Sequence, residues 1–420
     1  MPAPDVSTQR VASLQAMLAE TSATDPFPEN WRIKRYLECG CPYGAPLPLA
    51  LGESWEGAPR GLRQHLLNAP DYTDGYQLDR YGLPQLRAVL AGRFAGDYGD
   101  VLEPAGIVIG VTWTGTRSVM SAFGTWLRTG PWRNRPTYIT FCTPSWDYAG
   151  VFKPLGFIPN PVPLGPLPDC PLDVALLRDS LAALPADAAN LIVINAQHNP
   201  TARNWTVEEL EALIGAITPH HAVLVDDAYL GLTDWGVAPS KALPMVLRET
   251  DATACLLVRS LGKQFSCNGW SIGAYAARPA VMDAISAILS SRCLVAGARN
   301  QWALAQWLMD PSSDAAVRAR RERLADNRKR MLDGLMRLPG MDPSEISQGA
   351  ATPFVTFKVP GAYRGSAHPA QEFLDDCAAR GIVLSQMPDP GILRTYIGGE
   401  ATILNEALER MAGIARLRAN

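Results

Sequence analysis

The sequence ACLLVRSLGK, residues 254–263, indicates the fold of this chain most directly. It opens with an apolar run through Val258 that lacks polar alternation, which is typical of a strand covered on both faces of a parallel sheet. Ser260 and Lys263 follow where that strand would end, and another apolar run occupies residues 272–275. We therefore expect a buried strand that carries a lysine to the edge of a sheet.

Short apolar runs of the same kind recur along the chain and predict further strands. They cover residues 107–109, 138–141, 191–194 and 222–225. Helical patterns separate several of them. The segment TVEE, residues 206–209, has the form of a capping box that begins a helix. Alternating strands and helices predict an α/β fold with a mostly parallel central sheet.

The sequence changes in character near Ser312, where a smaller α+β domain is expected. A long charged helix is predicted over residues 315–338, then a strand at 354–357, a helix near 370–380, a strand at 393–396 and a closing helix. We predict an N-terminal arm and part of the small domain over 1–59, a large domain over 60–310 and a small C-terminal domain over 311–420.

Composition and charge exclude several classes of protein. The 420 residues include 38 Lys+Arg and 41 Asp+Glu, so a formal net charge of -3 leaves no basic surplus for a nucleic-acid backbone. We find no uncharged apolar stretch of about 18 residues and no signal-like start. The eight cysteines show no zinc-site spacing. We expect a cytoplasmic protein with reduced cysteines, no bound metal, and neither nucleic acid nor membrane as a partner.

Three short motifs accompany the lysine in a fixed order. They are Asn-Pro-Thr at residues 199–201, Asp-x-Ala-Tyr at 226–229 and Ser-x-x-Lys at 260–263. This ordered set resembles the class I/II aminotransferase family of fold-type I pyridoxal-phosphate enzymes. With Pro-Ser-Trp at 144–146 and Arg394, the resemblance extends over about residues 45–415. It implies the fold-type I architecture, with a large domain around the central sheet and a small α+β domain.

The resemblance implies pyridoxal 5′-phosphate as the cofactor and gives three residues catalytic roles. Lys263 would hold the cofactor aldehyde as a Schiff base and, once displaced by an amino substrate, would move the proton on Cα. Asp226 would pair with the pyridinium nitrogen and make the ring an electron sink. Asp227 is the rival acid, but the spacing of the motif matches Asp226. Tyr229 would donate a hydrogen bond to the phenolic oxygen of the ring.

Further residues are expected to bind the cofactor. Asn199 would also reach the phenolic oxygen, although a turn-forming Asn-Pro is the alternative. Trp146 would stack on the pyridine ring, with a buried core tryptophan as the alternative. The phosphate would lie at the start of a helix that begins near Ser118, where backbone amides and hydroxyls suit a dianion. Residues expected at the phosphate are Thr114, Gly115, Thr116 and Ser271, and Ser260 is also expected to bind the cofactor.

Two more matches concern the substrate and a partner. Arg394 corresponds to the family arginine that binds the substrate α-carboxylate, which predicts an α-amino acid substrate; a surface ion pair is the alternative. Tyr76 resembles the tyrosine that reaches the phosphate of the neighbouring subunit, and Tyr81 lies close enough in sequence to be confused with it. The implied working unit is a homodimer with shared active sites.

The sequence departs from the family pattern at the phosphate. The family usually has Gly-x-Arg-x-Gly after the lysine, and here Ser271 occupies the place of the arginine. A serine can hydrogen-bond a phosphate but cannot neutralise it, so Arg259 and Arg117 are candidates for the missing cation. The hydroxyl residue that often precedes the lysine is also absent, because Gly262 stands there.

The resemblance implies an enzyme that acts on an α-amino acid through an external aldimine and a Cα carbanion. An aminotransferase is the first interpretation. The same carbanion also serves β- or γ-elimination, replacement and carbon–carbon bond formation in secondary metabolism, which is the alternative. A hypothesis of another class is a non-catalytic protein that binds the cofactor or an amino acid.

Overall fold

The computed structural model describes residues 6–50, 52, 57–76, 79–99, 102–103, 105–112, 114–218, 220–232, 242–249, 254–293, 297–387 and 391–419. The strands are β1 (Leu47–Pro48), β2 (Val108–Thr112), β3 (Thr137–Thr143), β4 (Ile158–Pro163), β5 (Ala189–Asn195), β6 (His221–Asp226), β7 (Cys255–Ser260), β8 (Gly273–Ala277), β9 (Phe354–Lys358), β10 (Ile382–Val383), β11 (Ser385–Gln386) and β12 (Ile392–Tyr396).

The helices alternate with these strands in the first three quarters of the chain. They are α1 (Val6–Met17), α2 (Pro28–Glu38), α3 (Arg60–Leu67), α4 (Pro84–Tyr98), α5 (Gly115–Thr129), α6 (Tyr148–Phe152), α7 (Val174–Ala182), α8 (Val207–Gly215), α9 (Ala242–Glu249), α10 (Leu261–Gln264), α11 (Pro279–Arg292), α12 (Ala298–Met309), α13 (Pro311–Leu335), α14 (Pro369–Ala379) and α15 (Ala401–Ala419).

Seven strands form the central sheet in the order β2-β8-β7-β6-β5-β3-β4. Strands β7, β6, β5, β3 and β4 run parallel, and β8 lies antiparallel to both β2 and β7. The predicted α/β fold with a mostly parallel sheet is therefore confirmed. The sequence analysis did not identify β4, because its prolines at 159, 161 and 163 obscure the strand pattern. Prolines are tolerated there because β4 forms one edge of the sheet.

Both faces of this sheet are buried, which explains why its strands lack polar alternation. In β6, Val223 and Val225 pack into one hydrophobic cluster, whereas Ala222 and Leu224 pack into another. Successive side chains of a strand point to opposite faces, so each strand contributes to both clusters. Helices cover the two faces, with α4, α8 and α12 in one cluster and α5 and α11 in the other.

Two of the predicted helices begin earlier than the sequence analysis expects. Helix α5 begins at Gly115 rather than near Ser118, and α13 covers Pro311–Leu335 rather than 315–338. The start of α13 is fixed by Asp310, whose carboxylate accepts a hydrogen bond from the Ser312 amide. Helix α8 has the expected capping box between Thr206 and Glu209.

A second body is built from both parts of the chain that flank the large sheet. Strands β11, β12 and β9 form an antiparallel sheet, and β1 pairs in parallel with β10. Leu47 and Leu49 share a hydrophobic cluster with Phe354, Phe373 and Leu404. The N-terminal segment thus packs on the C-terminal elements, which carry Arg394 on β12.

Within the described ranges, no helix combines the length and apolar character needed to cross a bilayer. The same ranges contain no group of three or more His, Cys, Asp or Glu side chains arranged to hold a metal ion.

Candidate active site

The candidate site lies at one edge of the central sheet, where three neighbouring parallel strands end. Strand β5 ends at Asn195, β6 at Asp226 and β7 at Ser260, and Asn195 lies opposite Asp226 in the register. The carboxyl ends of parallel strands share one edge, and ligands of open α/β sheets bind there. The Asn-Pro-Thr, Asp-x-Ala-Tyr and Ser-x-x-Lys motifs each follow one of these strand ends.

Asp226 is a buried acid with a spare hydrogen-bonding position. Its side chain is 6% exposed, and the Tyr148 hydroxyl donates to Oδ2 at 2.7 Å. Oδ1 has no hydrogen-bond partner, and it is the one buried carboxylate oxygen in that state among the described residues. Burial raises the pKa of Asp226 to about 6, even though the bond from Tyr148 lowers it. A ligand that brings a cationic N–H donor would supply the missing partner.

Both carboxylate oxygens of Asp227, the next residue, have hydrogen-bond partners within the chain. Its carboxylate accepts from Gln197 Nε2 at 2.6 Å, from Arg259 Nη2 at 2.9 Å and from the Tyr98 hydroxyl. Arg259 also pairs with Asp97 at 2.6 Å and is 3% exposed. The expectation that Arg259 could serve the phosphate is therefore wrong, because its guanidinium is committed to these two carboxylates. Asp227 is a structural acid in this geometry.

Lys263 lies in the first turn after β7. The Ser260 hydroxyl caps α10 by accepting from the Lys263 amide at 3.3 Å, and Lys263 Nζ lies 6.0 Å from the centroid of the Tyr229 ring. A Cβ atom added to Gly52 would lie 3.5 Å from Lys263 Nζ and 2.9 Å from a ring carbon of Phe354. Gly52 also has a φ of +70°, a conformation that favours glycine. This glycine keeps space open beside the lysine amine.

Arg394 approaches the same edge from β12 of the small sheet. Its Nη1 donates to Asn199 Oδ1 at 2.9 Å, and its guanidinium carbon lies 4.3 Å from the centroid of the Phe354 ring. Arg394 Nε is buried without a hydrogen-bond partner. Burial lowers the pKa of Arg394, but a guanidinium remains charged at neutral pH. The planar guanidinium, whose Nε has no partner, can therefore donate hydrogen bonds to a carboxylate.

Tyr229 packs edge-to-face against Phe354, with ring centroids 5.8 Å apart. Burial raises the pKa of Tyr229 above its usual value, while the nearby Arg394 charge lowers it. The tyrosine therefore remains a neutral hydroxyl at neutral pH, suited to donate a hydrogen bond. Its amide donates to Gln197 Oε1 at 3.1 Å, and Gln197 thereby ties Tyr229 to Asp227.

Four of the predicted residues, Thr114, Gly115, Thr116 and Ser271, meet at the start of α5. The Gly115 amide donates to the Ser271 carbonyl at 2.7 Å, and a Cβ added to Gly273 would lie 3.2 Å from the Thr116 side chain. Thr114 precedes the helix and makes no capping bond through its side chain. Helix starts carry unpaired amides and a partial positive charge, so this corner can hold a phosphate. The hydroxyl groups at this corner are neutral, so they can hydrogen-bond a phosphate without balancing its charge.

Trp146 and Arg117 lie next to this corner. The guanidinium carbon of Arg117 lies 4.7 Å from the centroid of the Trp146 ring, and Arg117 Nη2 pairs with Asp147 at 2.9 Å. Trp146 is partly buried and packs edge-on against Tyr148 at 5.2 Å between ring centroids. Because Tyr148 also binds Asp226, the indole lies near the acid rather than deep in the hydrophobic core.

The two tyrosines that the sequence could not separate have different environments. Tyr76 is 78% exposed. Tyr81 is partly buried, its hydroxyl donates to Asp283, and Arg80 lies 4.7 Å above its ring. The difference favours Tyr76 as the tyrosine that projects toward a partner.

Sequence reasoning missed Tyr148, Gln197, Gly52 and Phe354. Three of them lie on different elements from the acid: Tyr148 begins α6, 78 residues before Asp226, Gln197 follows β5, and Phe354 begins β9. The available signals were short separations from predicted residues: Tyr148 lies two residues beyond Trp146, and Gln197 two residues before Asn199.

The fold and this strand-edge arrangement of a lysine, a buried carboxylate and an arginine define a fold-type I enzyme of the aminotransferase kind. The chain belongs to the aminotransferase class I and II family, whose model matches residues 75–411. Enzymes of this family use pyridoxal 5′-phosphate.

Known proteins with similar sequences are named as aminotransferases. The chain is 27% identical over 255 residues to "Probable N-succinyldiaminopimelate aminotransferase DapC" of Mycobacterium tuberculosis, covering 57% of this chain and 62% of that protein. It is 26% identical over 281 residues to 4-dedimethylamino-4-oxo-anhydrotetracycline transaminase OxyQ of Streptomyces rimosus, covering 67% of this chain and 71% of that protein. The match to DapC thus spans less than two thirds of that relative.

Solved structures share the fold over nearly the whole chain. A double mutant of Thermus thermophilus aspartate aminotransferase has a TM-score of 0.77 at 21% identity, covering 95% of this chain and 98% of that one. YbdL of Escherichia coli, described with a methionine aminotransferase function, has a TM-score of 0.74 at 21% identity, covering 94% and 98%. At these identities the likeness establishes the fold.

Proposed function

We propose that this chain is a pyridoxal-phosphate-dependent aminotransferase that acts on an α-amino acid. The observation that carries the proposal is the unpartnered Oδ1 of buried Asp226, at the same sheet edge as Lys263. An acid of this kind costs free energy unless a donor completes its hydrogen bonds. A protonated pyridine nitrogen is such a donor, and family membership supports the same assignment.

The residues present fit this cofactor at its ring and, with neutral donors, at its phosphate. Asp226 would hold the ring nitrogen, Tyr229 and Asn199 the phenolic oxygen, and Trp146 one face of the ring. The phosphate would rest on the hydroxyls of Thr114, Thr116, Ser260 and Ser271 and on amides in the first turn of α5, which begins at Gly115; the Gly115 amide itself already donates to the Ser271 carbonyl. When bound, pyridoxal 5′-phosphate supplies an aldehyde that reacts with amines and a ring that accepts electrons.

Lys263 is the proposed proton carrier. Its amine would take the proton from Cα of the amino acid and return a proton to the cofactor carbon that had carried the aldehyde, two bonds away across the amino nitrogen, which is the net shift that transfer of an amino group requires. Gly52 and Tyr229 border the amine and limit the solvent around it. Because the Tyr229 hydroxyl stays neutral, it can donate a hydrogen bond while Lys263 moves the proton.

Arg394 is the proposed carboxylate ligand of the substrate. Its bond to Asn199 fixes one Nη, and Phe354 supports the face of the guanidinium. The buried Nε that lacks a partner can donate to a carboxylate oxygen, so a bidentate contact needs little rearrangement. This fork would orient an α-amino acid with its Cα–H toward Lys263.

Three features of the organisation belong to the same proposal. The working unit would be a homodimer in which exposed Tyr76 reaches the phosphate corner of the partner, where the donors of this chain are neutral. The division into residues 1–59, 60–310 and 311–420 is supported by two hydrophobic clusters within the large domain and by two others that join N-terminal with C-terminal residues. A cytoplasmic location agrees with eight free cysteines.

Incubation of the purified protein with pyridoxal 5′-phosphate and a panel of α-amino acids tests the function. We expect one amino acid to yield pyridoxamine phosphate and the matching oxo acid in equal amounts. Release of ammonia or of a side-chain fragment would instead indicate elimination or replacement. Binding of the cofactor without turnover would indicate a non-catalytic protein. Lys263→Ala should abolish transfer, and Lys153→Ala, at an exposed lysine, should leave it unchanged.

A further inference from the structure

Glu29 is a buried acid that has no role in the proposed function. It stands in the first turn of α2 and is 9% exposed. Among the described residues it makes no hydrogen bond and no ion pair. Unlike Oδ1 of Asp226, its carboxylate oxygens are not fully enclosed, so they remain accessible to a ligand. A buried charge costs free energy unless a counter-charge approaches it.

Glu29 occupies a helix position that would ordinarily hold an apolar side chain. Glu29, Ile33 and Leu37 recur at every fourth residue and belong to the buried face of α2. Ile33 and Leu37 pack in one hydrophobic cluster with Val383, which lies two residues before Ser385. The partial charge of a helix start favours an acid in the first turn but does not require a buried one. Helix stability alone therefore does not explain this residue.

The charge of Glu29 acts on the arginine that is proposed to bind the substrate. Burial lowers the pKa of Arg394, whereas Tyr229 and Glu29 raise it. Arg394 and Glu29 nevertheless form no direct ion pair, so space remains between the two groups. The cations of α2 have other partners, which are Asp375 for Arg32, backbone carbonyls for Lys34 and the Trp31 ring for Arg35. Within the described part of the chain, no cation contacts the Glu29 carboxylate.

A second polar group without a partner lies beside Arg394. Ser385 on β11 is directly opposite Arg394 on β12, so the two side chains lie on the same face of the small sheet. Ser385 is 3% exposed, and neither its Oγ nor Arg394 Nε has a hydrogen-bond partner. Polar groups with unused hydrogen-bonding capacity therefore gather where the amino acid would lie.

We propose that Glu29 is a specificity-determining residue that selects α-amino acids whose side chain carries an amine or a guanidine. The inference rests on the proposed function, because it takes Arg394 as the ligand of the α-carboxylate. With that carboxylate in place, a cationic side chain would pair with Glu29, and the Ser385 hydroxyl could accept a further hydrogen bond from it. An acidic side chain would meet a like charge and be rejected.

Calorimetric titration of the cofactor-loaded Lys263→Ala variant tests this selection. The variant lacks the proposed proton carrier, so binding is measured whichever reaction the wild type performs. We expect L-lysine to bind at least about tenfold more tightly than uncharged L-norleucine, as one charge-assisted hydrogen bond predicts. L-Arginine should exceed uncharged L-citrulline in the same way, and L-glutamate should bind most weakly.

Changes at Glu29 show whether this residue causes the preference. Added to the Lys263→Ala variant, Glu29→Gln should make L-lysine and L-norleucine bind equally, whereas Glu29→Asp should retain the preference for L-lysine. Glu38→Gln, at an exposed acid of the same helix, is the control and should leave the preference unchanged. Equal binding of basic and uncharged amino acids before the change would overturn the inference, as would equal weakening of both by Glu29→Gln.

The inference and the proposed function fail in different ways. Amino-group transfer from uncharged amino acids, with no preference for basic ones, would refute the role of Glu29 and leave the aminotransferase intact. A Glu29-dependent preference for basic amino acids, accompanied by release of ammonia in the wild type, would support the role of Glu29 and refute the aminotransferase.

Discussion

Asp226 ends β6 and Asp227 follows it directly; both are buried, yet their surroundings are opposite. Asp227 accepts hydrogen bonds from Gln197 and Arg259 and a further one from a tyrosine hydroxyl. Asp226 accepts one from Tyr148 and leaves Oδ1 unpaired. Burial alone therefore does not identify a functional acid, whereas unused hydrogen-bonding capacity does.

The pKa values express the same contrast. Burial raises the pKa of both carboxyls, but for Asp227 the opposing influence begins with the charge of Arg259. For Asp226 the opposing influences are hydrogen bonds from neutral groups, first that from the Tyr148 hydroxyl. The charge on Asp227 is therefore compensated by Arg259, whereas no ion pair among the described residues compensates the charge on Asp226.

The largest expected effect is on stability, at the saturated acid. Arg259→Met leaves Asp227 as a buried charge without its cation, so we expect a loss of about 3–5 kcal/mol in the free energy of unfolding. Urea denaturation measures it. Arg117→Met, at an exposed ion pair, is the control and should cost at most about 1 kcal/mol. Equal losses in the two variants would contradict the structural role of Asp227.

The next effect is on catalysis, at the unsaturated acid. Asp226→Asn keeps the shape but removes the charge facing the ring nitrogen, so kcat/KM should fall about 10²–10³-fold, or about 3–4 kcal/mol, as when a key electrostatic contact is lost. Steady-state kinetics with the identified amino acid measure it. Asp227→Asn should cost mainly stability. If it lost more activity than Asp226→Asn at equal folded fraction, the roles of the two acids would be exchanged.

The pH dependence of the stability of the cofactor-free chain is a further test of the difference between Asp226 and Asp227. The pKa of Asp226 is about 6 in the folded chain against a usual 3.8, so the folded state retains the proton longer. Stability from this group therefore falls as pH rises through that window. Relative to Asp226→Asn, the wild type should lose about 2 kcal/mol between pH 4 and pH 8 in urea denaturation. A difference independent of pH would show that Asp226 carries no unfavourable charge.

The smallest effect concerns the partner of Asp226. Tyr148→Phe removes the hydrogen bond that lowers the pKa of Asp226, so kcat/KM should fall about tenfold and the acidic limb of the pH profile should move to higher pH. Tyr363→Phe is the matched control, because its hydroxyl donates to Asp376 in the small domain at 2.7 Å. A pH profile that moves equally in both variants would argue against a specific action through Asp226.

The sequence predicted the sheet well because strands buried on both faces are apolar throughout, as in residues 222–225. The direction of β8 could not be read from its apolar run, since pairing direction depends on the connections. The motif residues were placed correctly on strand ends because parallel strands end at a common edge. Arg259 was misjudged because its neighbour Ser260 faces the site, and adjacent strand residues point to opposite faces.

Borohydride reduction of the holoenzyme, followed by peptide mapping, tests the central claim that Lys263 carries the cofactor. The purified protein should absorb visible light, lose that absorption on reduction, and yield a single pyridoxyl adduct on Lys263. A preparation that takes up no pyridoxal 5′-phosphate, or an adduct found on another lysine, would contradict the account.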